Sequence, residues 1–262
     1  MNEIMQVDTE LLNKLDRIND DGSSSTKTQD GTSLPILKVD YSDGNEGKLS
    51  ITIDGQEVRA ETVWLRPLIN SFKWSHYDFD QKEMMVETIE VRNIFQEEPI
   101  DSNGTLRCGK PRSKDMDQDT RQKWKHINFQ RIIRGLVDIG EHTNIPCIMF
   151  LKGASRDTID EQYFKKLSGN NHMRDFKVAV STKSEKRGSV KYFVVNFMPD
   201  LEHPIPVDQP TVETIQIMTN QIEEKNKAIR EKYTQKLKDK NLDNTSIDAL
   251  KDALEDEFKD AS

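Results

Sequence analysis

Lysine and arginine side chains interleaved with aromatic rings are the residues here whose types could do chemistry. That chemistry is the grip of an anionic polymer carrying flat, stackable groups. From Arg107 to Arg134 the sequence holds 9 bases and 3 acids, and from Tyr163 to Phe193 it holds 8 bases and 2 acids. A phosphate backbone needs a track of cations, while each base stacked on an aromatic ring contributes ~1–3 kcal/mol whatever its identity. Phe72, Trp74, Tyr77, Trp124, Tyr163 and Tyr192 are the candidate stacking rings. Lys73, Arg107, Lys110, Arg112, Lys114, Lys123, Lys125, Arg131, Arg134, Lys183, Lys186, Arg187 and Lys191 are the candidate track. The plainer reading of any one of them is a core ring or a solvated cation. Their clustering, with cations concentrated in 183–191, favours binding of single-stranded nucleic acid.

The formal net charge of −8 opposes this only on average. Residues 1–60 hold 12 acids and 6 bases, residues 61–208 hold 22 and 23, and residues 209–262 hold 12 and 9. Phosphate binding follows local potential, so an acidic total is compatible with a basic groove. The acids gather at the end of the chain. Asp248, Asp252, Glu255, Asp256, Glu257 and Asp260 surround Leu254 and Phe258 in a tail over 244–262. Such a tail either solvates the chain or occupies a basic groove as a phosphate mimic, with Asp252, Glu255, Asp256, Glu257 and Phe258 then free to recruit a partner when nucleic acid displaces them.

Catalytic constellations are sparse. Asp78, Asp80 and Glu83 could hold a hydrolytic Mg²⁺, which keeps a metal-dependent nuclease as a minor alternative. Cys108, His126 and Cys147 lack paired zinc-ligand spacing, and no Walker A loop or GxSxG motif is present. The expectation is a binding protein with no cofactor and no metal. Only two cysteines, no signal-like leader and no apolar run of membrane-spanning length point to the cytoplasm.

These residues must be positioned by a mainly β, α+β domain. Residues 3–19 read as an amphipathic helix and 20–33 as a flexible linker. ILKVDY, KLSITI and QEVRAETVWL read as strands, with Asp54-Gly55 as a tight turn and Arg66-Pro67 as a stop. ETIEVRNIF (87–95) alternates as a strand, and TLRCGK as a short one leading to a helix over MDQDTRQKWKHI. FQRIIRGLVDI pairs with IPCIMFLKG across GEHTN, a helix spans 158–169, and FKVAVST pairs with VKYFVVNF around the loop KSEKRGS. A long polar helix follows over about 211–240. Its stripe of Ile215, Met218, Ile222 and Ile229 packs on its own chain or on a second copy. The best architecture is an OB-like small barrel or curved antiparallel sheet over 34–207, a helix over 208–243 and the acidic tail.

The order NGTLRCGK, basic loop, RIIRGLVDI, PCIMFLKGAS, helix, FKVAVST and a strand ending at Phe197 resembles the single-stranded DNA-binding proteins of tailed bacteriophages. EDEF (255–258) is similar to the acidic, phenylalanine-bearing ending of such proteins, although KDAS follows it here. The resemblance implies an OB-fold protein that coats and protects single-stranded DNA in phage replication, recombination and repair. It also implies recruitment of polymerase or helicase through the tail. The competing expectation is a phage structural or adaptor protein that assembles through the 211–240 helix.

Overall fold

The computed structural model describes residues 34–78, 83–94, 100, 127–169 and 171–239. They are mostly β, in antiparallel open sheets with a long C-terminal helix, the α+β class the sequence implies. Of the two forms expected, closed barrel or sheet, the strands adopt the sheet. The expected helix at 3–19, the linker, the strand and helix between 105 and 126, and the acidic tail lie outside the described residues. The chain divides into two compact units, one within Asp30–Phe72 and Phe129–Val207, the other within Lys73–Asn128 and Asp208–Ser262.

The first unit carries two sheets. Strands β1 (Lys38–Val39), β2 (Leu49–Ile53) and β3 (Gln56–Ala60) form a three-stranded antiparallel sheet. Ile53 pairs with Gln56 across Asp54-Gly55, and both turn residues have positive φ (49° and 79°). A two-residue hairpin turn of matching twist demands that conformation, and Asp-Gly supplies it cheaply. The larger sheet runs β7-β6-β4-β8-β9, with β4 at Thr62–Asp78, β6 at Asn128–Ile139, β7 at His142–Lys152, β8 at Val178–Arg187 and β9 at Val190–Pro199. Leu49, Ile51, Val63, Leu65, Ile133, Val137, Val178, Val180 and Phe197 from both sheets bury into one core with Cys147. Burial pushes the Cys147 thiol up to about 12, so it is a packed apolar group and not a nucleophile.

The edges of this sheet are covered in part by side chains and by chain. The N–H of Leu37 donates to the Ile148 carbonyl (2.9 Å) and the Ile148 N–H to the Pro35 carbonyl (3.0 Å), which covers β7 at that residue. Helix α1 (Ala154–Gln162) lies on β9, where Ser155 Oγ accepts from the Val195 N–H (3.0 Å) and Gln162 Oε1 from the Phe197 N–H (2.6 Å). An edge strand whose donors are occupied does not recruit a foreign strand. The helix expected over 158–169 starts earlier than that and ends at Gln162, followed by a 3-10 turn at Phe164–Lys166. Tyr163 leaves helical geometry to enter the core, and its hydroxyl donates to the Met173 carbonyl at 2.6 Å.

Pro67 does not stop its strand, contrary to the sequence expectation. The ladder to β8 ends at Leu65↔Val178, two residues before the ring, so the missing N–H takes nothing from that ladder. Arg66 is buried and donates from Nε to the Arg174 carbonyl (2.7 Å) and from one NH₂ group to the carbonyls of Ile205 (3.1 Å) and Pro206 (3.0 Å).

In the second unit the far end of β4 pairs with β5 (Glu83–Glu87), so the strand expected at 87–95 sits earlier in the sequence. Residues after Glu87 find other partners. Thr88 bonds Trp74 through both its hydroxyl and its N–H (each 3.0 Å). Glu90 exchanges two hydrogen bonds with the Asn226 side-chain amide, its N–H donating at 2.7 Å and its carbonyl accepting at 2.8 Å. An amide used this way stands in for a neighbouring strand. Asn226 belongs to helix α2 (Gln209–Asp239), whose start Asp208 caps by accepting from the Thr211 N–H (3.0 Å). Ile215, Met218, Ile222 and Ile229 are all buried, so the stripe is covered within the chain. Among the described residues no helix is long and apolar enough to cross a membrane.

Candidate nucleic-acid interface

The two-stranded ribbon of β8 and β9 brings one set of the sequence candidates together. KSEKRGS is not a loop. Cross-strand pairing continues through Lys183↔Val194, Glu185↔Tyr192, Lys186↔Lys191 and Arg187↔Val190, leaving only Gly188 and Ser189 as the turn. Lys183, Lys186, Arg187 and Lys191 are all exposed on this ribbon. Lys183, Lys186 and Arg187 form no ion pair with any described residue. Lys191 Nζ meets Glu46 at 3.1 Å and lies 4.9 Å from the centre of the Phe193 ring. Tyr192 donates its hydroxyl to Glu185 Oε2 (3.0 Å), which holds the phenol above its usual range and keeps it neutral.

The ribbon is fixed at its root by the turn between β1 and β2. Gly47, at φ 83°, lies so close to the Phe193 ring that an added Cβ would fall 2.4 Å from a ring carbon. Thr182 donates its hydroxyl to the Gly47 carbonyl, and Tyr41 meets Phe193 edge-on with centroids 5.7 Å apart. Tyr41, 61% exposed, and Phe193 were not among the candidate stacking rings, although Phe193 closes the second basic cluster. Nothing local marks Tyr41, because the turn that carries it is distant in sequence from β9.

A second set of candidates is buried and committed to structure, which corrects their assignment as ligand-facing groups. Arg131 is an internal cation, with NH1 2.7 Å from Asp160 Oδ1 and its guanidinium 4.8 Å from the Phe72 ring and 4.9 Å from the Phe164 ring. Phe72 in turn stacks on Phe129 at 5.6 Å and 15°, and Arg156 lies 4.8 Å from the centre of Phe129. The stacking of cations on rings does occur here, inside the protein. Arg134 is buried with NH1 3.5 Å from Ser71 Oγ, Trp74 is buried, and Tyr163 is fully buried. Lys73 is mostly covered and paired with Glu87 at 2.8 Å. Tyr77 lies in β4, with its side chain outside the described residues. Arg107, Lys110, Arg112, Lys114, Lys123, Trp124 and Lys125 also lie outside them, as do Asp252, Glu255, Asp256, Glu257 and Phe258.

The buried Tyr163 has a measurable consequence. Desolvation, with the nearby Asp175 carboxylate adding to it, raises its pKa well above the ordinary phenol value. The folded phenol thus keeps a proton that the unfolded one has released by about pH 10, so unfolding releases a proton and stability falls as pH rises. Cys147, also raised by burial, acts with the same sign from its unfolded value upward. The stability from both is fully present at pH 7. The urea midpoint is expected to drop between pH 8 and pH 11. Tyr163→Phe is expected to make that drop shallower while costing about 1 kcal/mol at pH 7 through the lost hydrogen bond to Met173.

Among the described residues no group of three or more His, Cys, Asp or Glu side chains could hold a metal ion. Asp80, Cys108 and His126 lie outside those residues, and Asp78 and Glu83 are described only in their backbone. Comparison with protein-family models, with curated proteins and with solved structures finds no match to this chain.

Proposed function

We propose that this protein binds single-stranded DNA without regard to sequence, coating and protecting exposed strands during replication, recombination or repair. The observation that carries the reading is the β8–β9 ribbon, which holds out four exposed cations, three of them free of ion pairs with described residues. Free cations at one place raise the local potential and release counterions when they meet phosphates. The acidic tail competes for the same cations in the absence of DNA and contacts replication proteins when displaced.

The test is a titration of labelled oligo-dT with the full-length chain and with a chain lacking residues 244–262, followed by anisotropy over a range of salt. Micromolar or tighter binding at low salt, weakening steeply as salt rises, is expected, and removal of the tail is expected to tighten it. No binding by either chain at low salt would defeat the reading.

A further inference from the structure

We propose that the single strand lies along one particular face of the β4–β8–β9 sheet, with Trp64 as a base-stacking residue at the inner end of that path. This rests on the single-strand reading of the ribbon and adds where the strand runs. Residues directly opposite one another in antiparallel strands share a face, and the face repeats every second residue. The register pairs Trp64 with Ala179 and Ala179 with Met198, which places all three in one row. Along β8 the same face then carries Ser181, Lys183, Glu185 and Arg187, and along β9 it carries Tyr192 opposite Glu185. Along β9 the face also carries Asn196, whose amide oxygen accepts from Gln162 of α1 (2.6 Å), the buried Val194 opposite Lys183, and the exposed Val190 opposite Arg187. Its aromatic and cationic groups, from the body of the sheet to the ribbon tip, are Trp64, Lys183, Tyr192 and Arg187.

Trp64 is 43% exposed and Met198 65% exposed, flanking an alanine that covers little of either. Within the described residues the indole makes no ring contact, cation contact or hydrogen bond. A large ring left open in this way, on a sheet whose other face fills the core, has surface to offer a planar ligand. The rise of ~3.3 Å per residue sets Lys183 about 13 Å along β8 from the Trp64 row and Arg187 about 26 Å from it. A short run of nucleotides spans such a distance, its phosphates reaching Lys183 and Arg187 and its bases reaching Trp64 and Tyr192. Glu185 lies on this face too, but Tyr192 occupies it as a hydrogen-bond acceptor and a cation stands two residues away on either side. The charge of the face thus favours an anionic occupant over the purely apolar partner that Trp64 and Met198 alone would suit.

The experiment compares wild type, Trp64→Ala and Trp64→Phe in full-length protein. Binding of fluorescein-labelled oligo-dT is read by anisotropy, and tryptophan emission is read separately on titration with unlabelled oligo-dT. Trp64→Ala is expected to weaken binding by about 10-fold, the loss of one stacked base. Trp64→Phe keeps a ring and is expected to bind within about 3-fold of wild type while losing a large share of the quenching. Wild-type affinity in Trp64→Ala, or undiminished quenching in Trp64→Phe, would overturn the path. Absence of anisotropy change with wild type would instead overturn the single-strand reading on which it rests. The exposed position makes both variants foldable, and circular dichroism checks that they are.

Discussion

Replacing Lys183 and Arg187 together by Gln is expected to lower affinity for oligo-dT by about 25-fold near 0.1 M salt. The figure follows from counterion release. Each phosphate neutralised on a single strand contributes ~0.7 to the slope of log K against log salt, so removing the two cations of the Trp64 face at 0.1 M costs about 1.4 decades, while Lys186, paired with Lys191 on the opposite face, is left in place. The same variant should flatten the salt slope by about 1.4, a signature that simple misfolding would not give. Its fold is expected to survive, because both side chains are exposed and neither holds an ion pair with a described residue. Binding titrations at four or five salt concentrations provide both readouts. Unchanged affinity with an unchanged slope would remove the ribbon from the interface. Lys191→Gln alone should have a smaller effect, since Lys191 is already engaged by Glu46 and the Phe193 ring.

Gly135→Ala is expected to destabilise the fold by about 3 kcal/mol, the upper end for an overpacked site. Gly135 sits in β6 where the strand passes close to β4, and a Cβ there would fall 2.2 Å from the Arg66 carbonyl oxygen and 3.2 Å from a Leu65 methyl. The nearer obstacle is backbone, which cannot rotate aside as a side chain can. Arg66 cannot shift cheaply either, because its guanidinium holds three carbonyls of the 174–206 segment. A loss of that size corresponds to a fall in Tm of about 6–12 °C for a chain of this length. Thermal unfolding by circular dichroism measures it, and a fall of less than about 2 °C would mean that the close approach of the strands is not a constraint.

Strands and turns with local signals were legible in the sequence. The Asp54-Gly55 hairpin, the β6–β7 pair, the β8–β9 pair and the long helix follow from turn chemistry and periodicity alone. The ribbon loop was not sized correctly, since SEKR is polar on both faces and reads as loop. A two-stranded ribbon standing clear of the core needs no apolar face to stay paired, so periodicity is silent there. The second shortfall concerns charge. Arg131 and Arg134 read as surface cations, as most arginines are, yet both are buried. What stabilises Arg131 inside is Asp160, 29 residues away, with Phe72 and Phe164 on other elements, and no local pattern announces such partners. Trp64 was not among the candidate rings, although its local pattern offered a signal. The alternation Val63, Trp64, Leu65 marks it as the residue facing away from the core, and its flanks are indeed buried.

The most direct measurement is photochemical crosslinking of full-length protein to oligonucleotides carrying 5-iodo-deoxyuridine, with crosslinked peptides identified by mass spectrometry. The account predicts crosslinks in the peptides containing Trp64 and Tyr192, abolished when excess oligo-dT or 1 M salt is added. Specific crosslinks that fall only outside 62–64 and 178–199, or none from an oligonucleotide shown to be bound, would contradict it.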